Sequence, residues 1–267
     1  MTNQSTFLSN PNDGIRYNRF SFIAVALWKA FFHKTRLSLK GYNRVYQYHI
    51  RKTGGTSINL SFLGLFSNDP LFLYRLIVKQ KKHQFLPVPL SLCGWNVKTI
   101  QSSEYFYGFS HEPFHKITLK SRTFTFTCFR DPCSRILSHY RMLLEMRDSN
   151  SNHPCMRLEA PWLGNSFDDF LRLIPREHLL NQLWMFSPNY SVAEASDSIR
   201  TLDCVLFTEN LVGGIKEISN KTGLPLKVRH DRKTSFPFQP TDSDLNHLRT
   251  LLEPEYELLE MIKSSLL

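Results

Sequence analysis

The chain lacks an uninterrupted apolar run long enough to cross a membrane. Its most apolar segment, residues 20–32, is interrupted by Lys29 and is shorter than the roughly 20 residues that a spanning helix requires. No small-residue cleavage site follows this segment, so a secretory signal is not expected. Two interpretations stay open: a helix that packs on the core, or an anchor that lies in the membrane plane with Lys29 and Lys34 near headgroups.

The cysteines provide neither a zinc pattern nor a disulfide framework. There are five, scattered along the chain, with no Cys-x-x-Cys pair. Cys128 lies in a predicted strand, where we expect a small apolar core residue. A reducing compartment is the simpler interpretation.

Acidic residues are scarce relative to basic ones. The 23 acidic and 33 basic side chains give a net charge of +10, which favours an anionic partner: nucleic acid, an acidic polysaccharide, an acidic membrane surface or a nucleotide. The charge alone does not choose among them. A hydrophobic content of 42% in 267 residues excludes a disordered chain and provides a sizeable core.

Strand and helix patterns alternate along the chain. This order predicts an α/β fold, a P-loop-like three-layer arrangement in which helices flank a central, mainly parallel sheet. Residues 1–40 are predicted to form an N-terminal arm with an apolar helix, and residues 41–267 a single domain. Residues 85–96, with Pro87 and Pro89, are predicted to be a loop or edge segment. The last helix is expected to kink or break at Pro254.

Residues 45–60, VYQYHIRKTGGTSINL, predict a buried strand, a polar loop and a helix. Gly54 and Gly55 permit positive φ and a close approach of the backbone to a ligand. Thr56 and Ser57 fall at the helix start, where unpaired N–H groups and the helix dipole favour an oxyanion. These features predict a site for an anionic phosphate group, here named the phosphate loop: Arg51, Lys52, Thr53, Gly54, Gly55, Thr56 and Ser57.

The common nucleotide pattern G-x-x-x-x-G-K-[ST] is absent, and Lys52 precedes the glycines. HIRKTGGTS resembles the 5′-phosphosulfate loop of sulfotransferases that use 3′-phosphoadenosine 5′-phosphosulfate (PAPS), particularly the branch of heparan sulfate 2-O-sulfotransferase and its bacterial relatives. That family usually has Pro where this chain has Arg51. Eukaryotic members usually carry a Golgi membrane anchor. Because residues 20–32 are too short for such an anchor, the resemblance implies a cytoplasmic bacterial-type enzyme, with peripheral membrane contact left open.

A second motif lies in residues 123–146, TFTFTCFRDPCSRILSHYRMLLEM. Its first seven residues predict a strand, and Asp131 and Pro132 predict the start of a helix. The pattern R-D-P-x-x-R-x-x-S-x-Y resembles the 3′-phosphate segment of the same family. The resemblance assigns Arg130 and Ser138 to that phosphate, while Arg135 either joins them or orients the helix through an ion pair.

Residues 105–115 predict a strand that ends at a polar corner. The resemblance maps the catalytic base onto His111, and an imidazole titrates near the working pH. Glu112 and Glu104 are rival bases, and His115 is a weaker one. Lys52 is the second expected catalytic residue, because its charge would neutralise the oxygen from which sulfur departs.

The resemblance implies a sulfotransferase that moves the sulfuryl group of PAPS to an acceptor hydroxyl and releases 3′-phosphoadenosine 5′-phosphate (PAP). We expect the acceptor to be a glycan or glycolipid. No metal is expected, because fixed cations and N–H groups would already stabilise the charge, and no nucleic-acid partner is expected. Trp184 could stack on a sugar ring or belong to the core.

Two other function classes stay open. A kinase-type phosphotransferase would explain the phosphate loop, although the nucleotide pattern and carboxylates for Mg²⁺ are missing. A basic nucleic-acid-binding protein would explain the charge, although no recognised motif occurs.

Overall fold

The computed structural model describes residues 37–80, 84–85, 92–229 and 236–266. The predicted N-terminal arm up to residue 36, including the apolar segment 20–32, lies outside this part of the chain, as do Pro87 and Pro89. Within the described ranges, every helix is too short or too polar to cross a bilayer.

The centre of the fold is a sheet that has six strands in the described part of the chain. They are β1 Arg44–Tyr48, β2 Gln84–Phe85, β3 Leu92–Gly94, β4 Tyr107–Ser110, β5 Thr123–Phe129 and β6 Cys204–Phe207. Their order in the sheet is β2-β3-β4-β1-β5-β6. Five neighbouring strands are parallel, and the two-residue β2 runs antiparallel to its neighbour. The predicted mainly parallel sheet is therefore confirmed.

Helices cover both faces of the sheet and complete the three layers. Tyr46 of β1 packs into one buried cluster with Ile136, whereas the adjacent Val45 packs into a second cluster with Ile58. The helices in the described part of the chain are α1 Gly55–Leu63, α2 Pro70–Gln80, α3 Val97–Ser102, α4 Pro132–Asp148, α5 Pro154–Glu159, α6 Phe167–Leu173, α7 Arg176–Leu179, α8 Asn181–Trp184, α9 Val192–Arg200, α10 Leu211–Thr222, α11 Asp242–Leu251 and α12 Glu253–Leu266.

The strand order reverses at β1, which pairs with β4 on one side and β5 on the other. Its last residue, Tyr48, is in register with Ser110, the last residue of β4, and with Thr127 of β5, which continues to Phe129. In open α/β sheets such a switch point forms a crevice that binds ligands. The segments that follow β1, β4 and β5 contain all three sets of predicted site residues.

The prediction for residues 85–96 was wrong in one respect, because these residues contain β3, which lies inside the sheet between β2 and β4. Leu92, Cys93 and Gly94 are fully buried, but three residues are too few to show a period. The predicted break near Pro254 is confirmed, since α11 ends at Leu251 and α12 begins at Glu253. Cys128 is buried as predicted, and all five cysteines are free.

Candidate active site

The phosphate loop leaves β1 and turns sharply into α1. Lys52 and Gly54 both have positive φ, +66° and +76°. No side chain in the described ranges caps the start of α1. The first N–H groups of a helix have no partner within it, so this uncapped end suits an anion.

Gly55 is required for a different reason from Gly54. A Cβ atom added to Gly55 would lie 1.7 Å from Nε2 of His49, because the imidazole ring rests on the glycine. His49 is only 7% exposed, and its Nδ1 has no hydrogen-bond partner among the described residues. Sequence analysis expected a ligand to approach the backbone closely at this glycine. In the structure, the imidazole ring of His49 does so.

The side chains of the phosphate loop point in different directions. Buried Thr53 donates from Oγ1 to the carbonyl oxygen of Ile50 at 2.9 Å, which closes the loop. Lys52 extends towards α4, with Nζ 3.3 Å from Sδ of Met142. Thr56 and Ser57 are half-buried in the first turn of α1. The loop thus presents backbone N–H groups and one ammonium group.

The guanidinium group of Arg51 pairs with a carboxylate of the protein. Nη2 donates to Oε2 of Glu159 at 2.9 Å and Nη1 to Oε1 at 2.5 Å, while the backbone N–H donates to Oδ1 of Asn181 at 3.2 Å. Sequence analysis did not assign Glu159 to the site, because no motif surrounds it. In the structure Glu159 is only 4% exposed.

The second predicted phosphate site adjoins the first. Nη1 of Arg130 donates to the carbonyl oxygen of Lys52 at 3.2 Å. A side chain of the corner between β5 and α4 therefore contacts the backbone of the corner between β1 and α1. Ser138 is half-buried on α4, whose start Asp131 caps through the N–H of Ser134. The hydroxyl of Ser138 makes no hydrogen bond with the part of the chain that the structure describes.

Helix α8, which sequence analysis did not assign to the site, supports both corners. Asn181 accepts from the backbone N–H of Arg51, and Oε1 of Gln182 accepts from that of Arg130 at 2.9 Å. Nε2 of Gln182 donates to the buried carboxylate of Glu255 at 2.9 Å. These buried amides fix the positions of two loops that lie far apart in the sequence.

Sequence analysis left two roles open for Arg135: a contact with the 3′-phosphate, or an ion pair that orients the helix. The structure supports the ion pair. Arg135 is 1% exposed and forms an ion pair with Glu255 at 3.3 Å. Its guanidinium also donates to the carbonyl oxygens of His178 and Leu179. It therefore fixes α4 against α7 and α12.

His111 directly follows β4, beside the phosphate loop. Its Nδ1 lies 2.6 Å from the carbonyl oxygen of His49. Because a carbonyl can only accept, Nδ1 carries the proton and Nε2 keeps a free lone pair in the neutral ring. Burial and the charge of Arg51 lower the pKa of His111 to about 4, so the ring is neutral at pH 7. The geometry suits a general base.

The rival bases lie in different places. Glu112 is half-buried next to His111, and its backbone N–H donates to Oγ of Ser110 at 3.1 Å. Glu104 is exposed and precedes β4, so it lies near the amino-terminal end of that strand, whereas His111 follows its carboxyl end. His115 is also exposed, with its ring 6.0 Å from that of half-buried Trp184. Of the three rivals, Glu112 is the one that adjoins His111 in the chain.

Comparison with models of protein families gives a match over most of the chain. The model of the sulfotransferase family matches residues 37–256, which is most of the chain and includes the phosphate loop, His111, Arg130 and Ser138. Among curated proteins, no sequence shows significant similarity to this chain.

Proposed function

Because the chain belongs to the sulfotransferase family, we propose that it transfers the sulfuryl group of PAPS to an acceptor hydroxyl. One observation carries the proposal: Arg130, which follows β5, donates to the backbone of Lys52 in the phosphate loop, and His111 directly follows the neighbouring strand β4. Two adjoining anion sites beside a neutral imidazole are what a sulfuryl donor with phosphates at both ends requires.

The residues present fit such a molecule. The uncapped start of α1 and the ammonium of Lys52 would hold the 5′-phosphosulfate, with Thr53 to Ser57 supplying N–H groups. Arg130 and the hydroxyl of Ser138 would hold the 3′-phosphate, since a guanidinium presents a fork of N–H groups to phosphate oxygens. For Arg51, whose guanidinium is paired with Glu159, we propose no direct contact with the phosphosulfate.

His111 and Lys52 would divide the chemistry. When bound, PAPS supplies a sulfuryl group that is already activated. Nε2 of His111 accepts the proton of the acceptor hydroxyl as its oxygen attacks sulfur. Lys52 and the N–H groups of α1 stabilise the negative charge on the phosphate oxygen from which sulfur departs. Positioning and electrostatics then supply most of the rate, and the proposed reaction requires no metal.

We propose a carbohydrate acceptor, on a glycan or glycolipid, as in the heparan sulfate 2-O branch that the phosphate loop resembles. The net charge of +10 supports an acidic glycan. We also propose a cytoplasmic location, with peripheral membrane contact as a further possibility. Membership of the sulfotransferase family does not favour the kinase or nucleic-acid-binding alternatives.

Calorimetry with PAP tests the proposed sulfuryl donor, and ATP is the matched comparison. We expect heat from PAP and much weaker heat from ATP; no heat from PAP overturns the proposal. Radiolabelled PAPS would then be screened for sulfate transfer to glycans, glycolipids and small alcohols. Transfer to small alcohols alone would contradict the carbohydrate acceptor while keeping the sulfuryl donor.

A further inference from the structure

The carboxylate of Glu159 is buried between the phosphate loop and α4. Its Oε1 and Oε2 each accept one hydrogen bond from Arg51, and Oε2 also accepts one from Nε2 of His139 at 2.8 Å. Arg51 immediately precedes Lys52, and His139 immediately follows Ser138. Glu159 therefore connects a neighbour of one proposed phosphate site with a neighbour of the other.

The charge in this network is balanced. Burial alone would raise the pKa of Glu159, but hydrogen bonds from His139 and Arg51 lower it to about 2. Burial lowers the pKa of His139 to about 3. At neutral pH one guanidinium and one carboxylate thus face each other, and a neutral imidazole donates to the carboxylate. A buried charge is tolerated when it is paired and hydrogen-bonded in this way.

The same charges act on His111. Four groups influence it: His49, which directly follows β1, Arg51 in the phosphate loop, Glu159 on α5 and His178 on α7. The ring of Trp95 also packs against His111 but carries no charge. The cation of Arg51 disfavours protonation of His111, whereas the carboxylate of Glu159 favours it. His178 acts in the same direction as Arg51, and the carbonyl of His49 acts in the opposite one.

We propose that Glu159 is a positioning residue: it holds the phosphate loop against α4 and neutralises Arg51 beside the base His111. The catalytic meaning of this inference rests on the proposed function, but the charge relationship does not. A purely structural ion pair would also connect the two elements. It would not, however, shift the pKa of His111 in one direction when Glu159 is neutralised and in the other direction when Arg51 is neutralised.

The test is an NMR titration of the imidazole C–H resonance of His111 in the full-length protein, assigned with His111→Gln. Glu159→Gln leaves Arg51 without its counter-charge, so we expect a lower pKa for His111. Arg51→Gln removes the cation, so we expect a higher pKa. The double variant should lie between the two single variants. Glu145→Gln, at an exposed position of α4, is the control and should leave the titration unchanged.

Shifts in the same direction for both single variants, or no shift in either, would overturn the inference. If Glu159→Gln fails to fold, as judged by circular dichroism, Arg51→Gln alone still decides, because an unchanged or lowered pKa contradicts the proposal. The titration requires no sulfuryl transfer. If the two variants shift the pKa of His111 in opposite directions but the protein does not bind PAP, the inference about Glu159 is supported and the proposed function is rejected.

Discussion

The guanidinium of Arg130 donates a hydrogen bond to the carbonyl oxygen of Lys52 at 3.2 Å. This contact joins the segment that follows β5 to the phosphate loop that follows β1. Gln182 holds the backbone N–H of Arg130, and Asn181 holds that of Arg51. The two proposed phosphate sites therefore have a fixed separation, as a single molecule with two phosphate groups requires.

The proposed 3′-phosphate site predicts that Ser138→Ala binds PAP more weakly. Losing a hydrogen bond to a charged group costs about 1.5–3 kcal/mol, which corresponds to roughly 10- to 150-fold in the dissociation constant. Calorimetry measures this change. Ser134→Ala, one turn earlier on α4, is the matched control and should keep the affinity of the unmodified protein. Equal affinities for the two variants would contradict the assignment of Ser138.

The proposed base predicts that His111→Ala loses transfer and keeps PAP binding. A positioned general base contributes about 10²- to 10⁴-fold to a rate, and His111 has no predicted contact with the phosphates. Lys52→Ala should also abolish transfer, because the leaving oxygen would lack its cation. Rates of sulfate transfer are the measurement, and Glu112→Gln is the control. Turnover that persists in His111→Ala but not in Glu112→Gln would move the base to Glu112.

The contact between His49 and Gly55 predicts that Gly55→Ala disturbs the phosphate loop. The added methyl group would overlap the imidazole ring, which must move. Overpacking of this kind costs about 1–3 kcal/mol of the free energy of unfolding, and PAP affinity should fall with it. Urea unfolding and calorimetry measure the two effects.

Gly41→Ala provides the comparison for that variant. Gly41 has φ +76° but open space around its Cα, so substitution brings backbone strain without a clash. We expect a cost of about 1 kcal/mol in unfolding and no change in PAP affinity. The explanation from His49 would be wrong if both glycine variants bound PAP equally well.

The buried histidines predict that stability falls in acid. His111 and His139 have pKa values of about 4 and 3 in the folded protein, against about 6.5 in an unfolded chain. Between these values the unfolded state binds more protons, so the free energy of unfolding decreases as pH falls from about 6.5 towards 3. Each unit of pKa difference corresponds to about 1.4 kcal/mol per group.

Urea unfolding across this pH range measures the slope. His139→Gln removes one titrating group but keeps a donor for Glu159, so the decrease should become shallower. Asn246→Gln, an exposed substitution on α11 that changes no titrating group, should leave the slope unchanged. An unchanged slope in His139→Gln would show that its titration does not contribute.

Sequence patterns predicted the parts of the site that local chemistry determines. The strand, two glycines and hydroxyls around Gly54 indicate a βα corner by themselves, and Asp131 followed by Pro132 indicates a helix start. Glu159 and Gln182 could not be predicted, because they contact residues 108 and 52 positions away, Arg51 and Arg130. A polar residue in a polar segment gives no signal that it will be buried against a distant partner.

The central position of β1 has a consequence for how the protein is made. Val45 leaves the ribosome before its partners Tyr107 and Phe124 have been synthesised. Parallel pairing between distant segments is slow, because a long stretch of chain must first be ordered. Until residue 130 has emerged, the nascent polypeptide contains the phosphate loop without the strands and the guanidinium that hold it, so the proposed donor site is completed only after these segments have been synthesised.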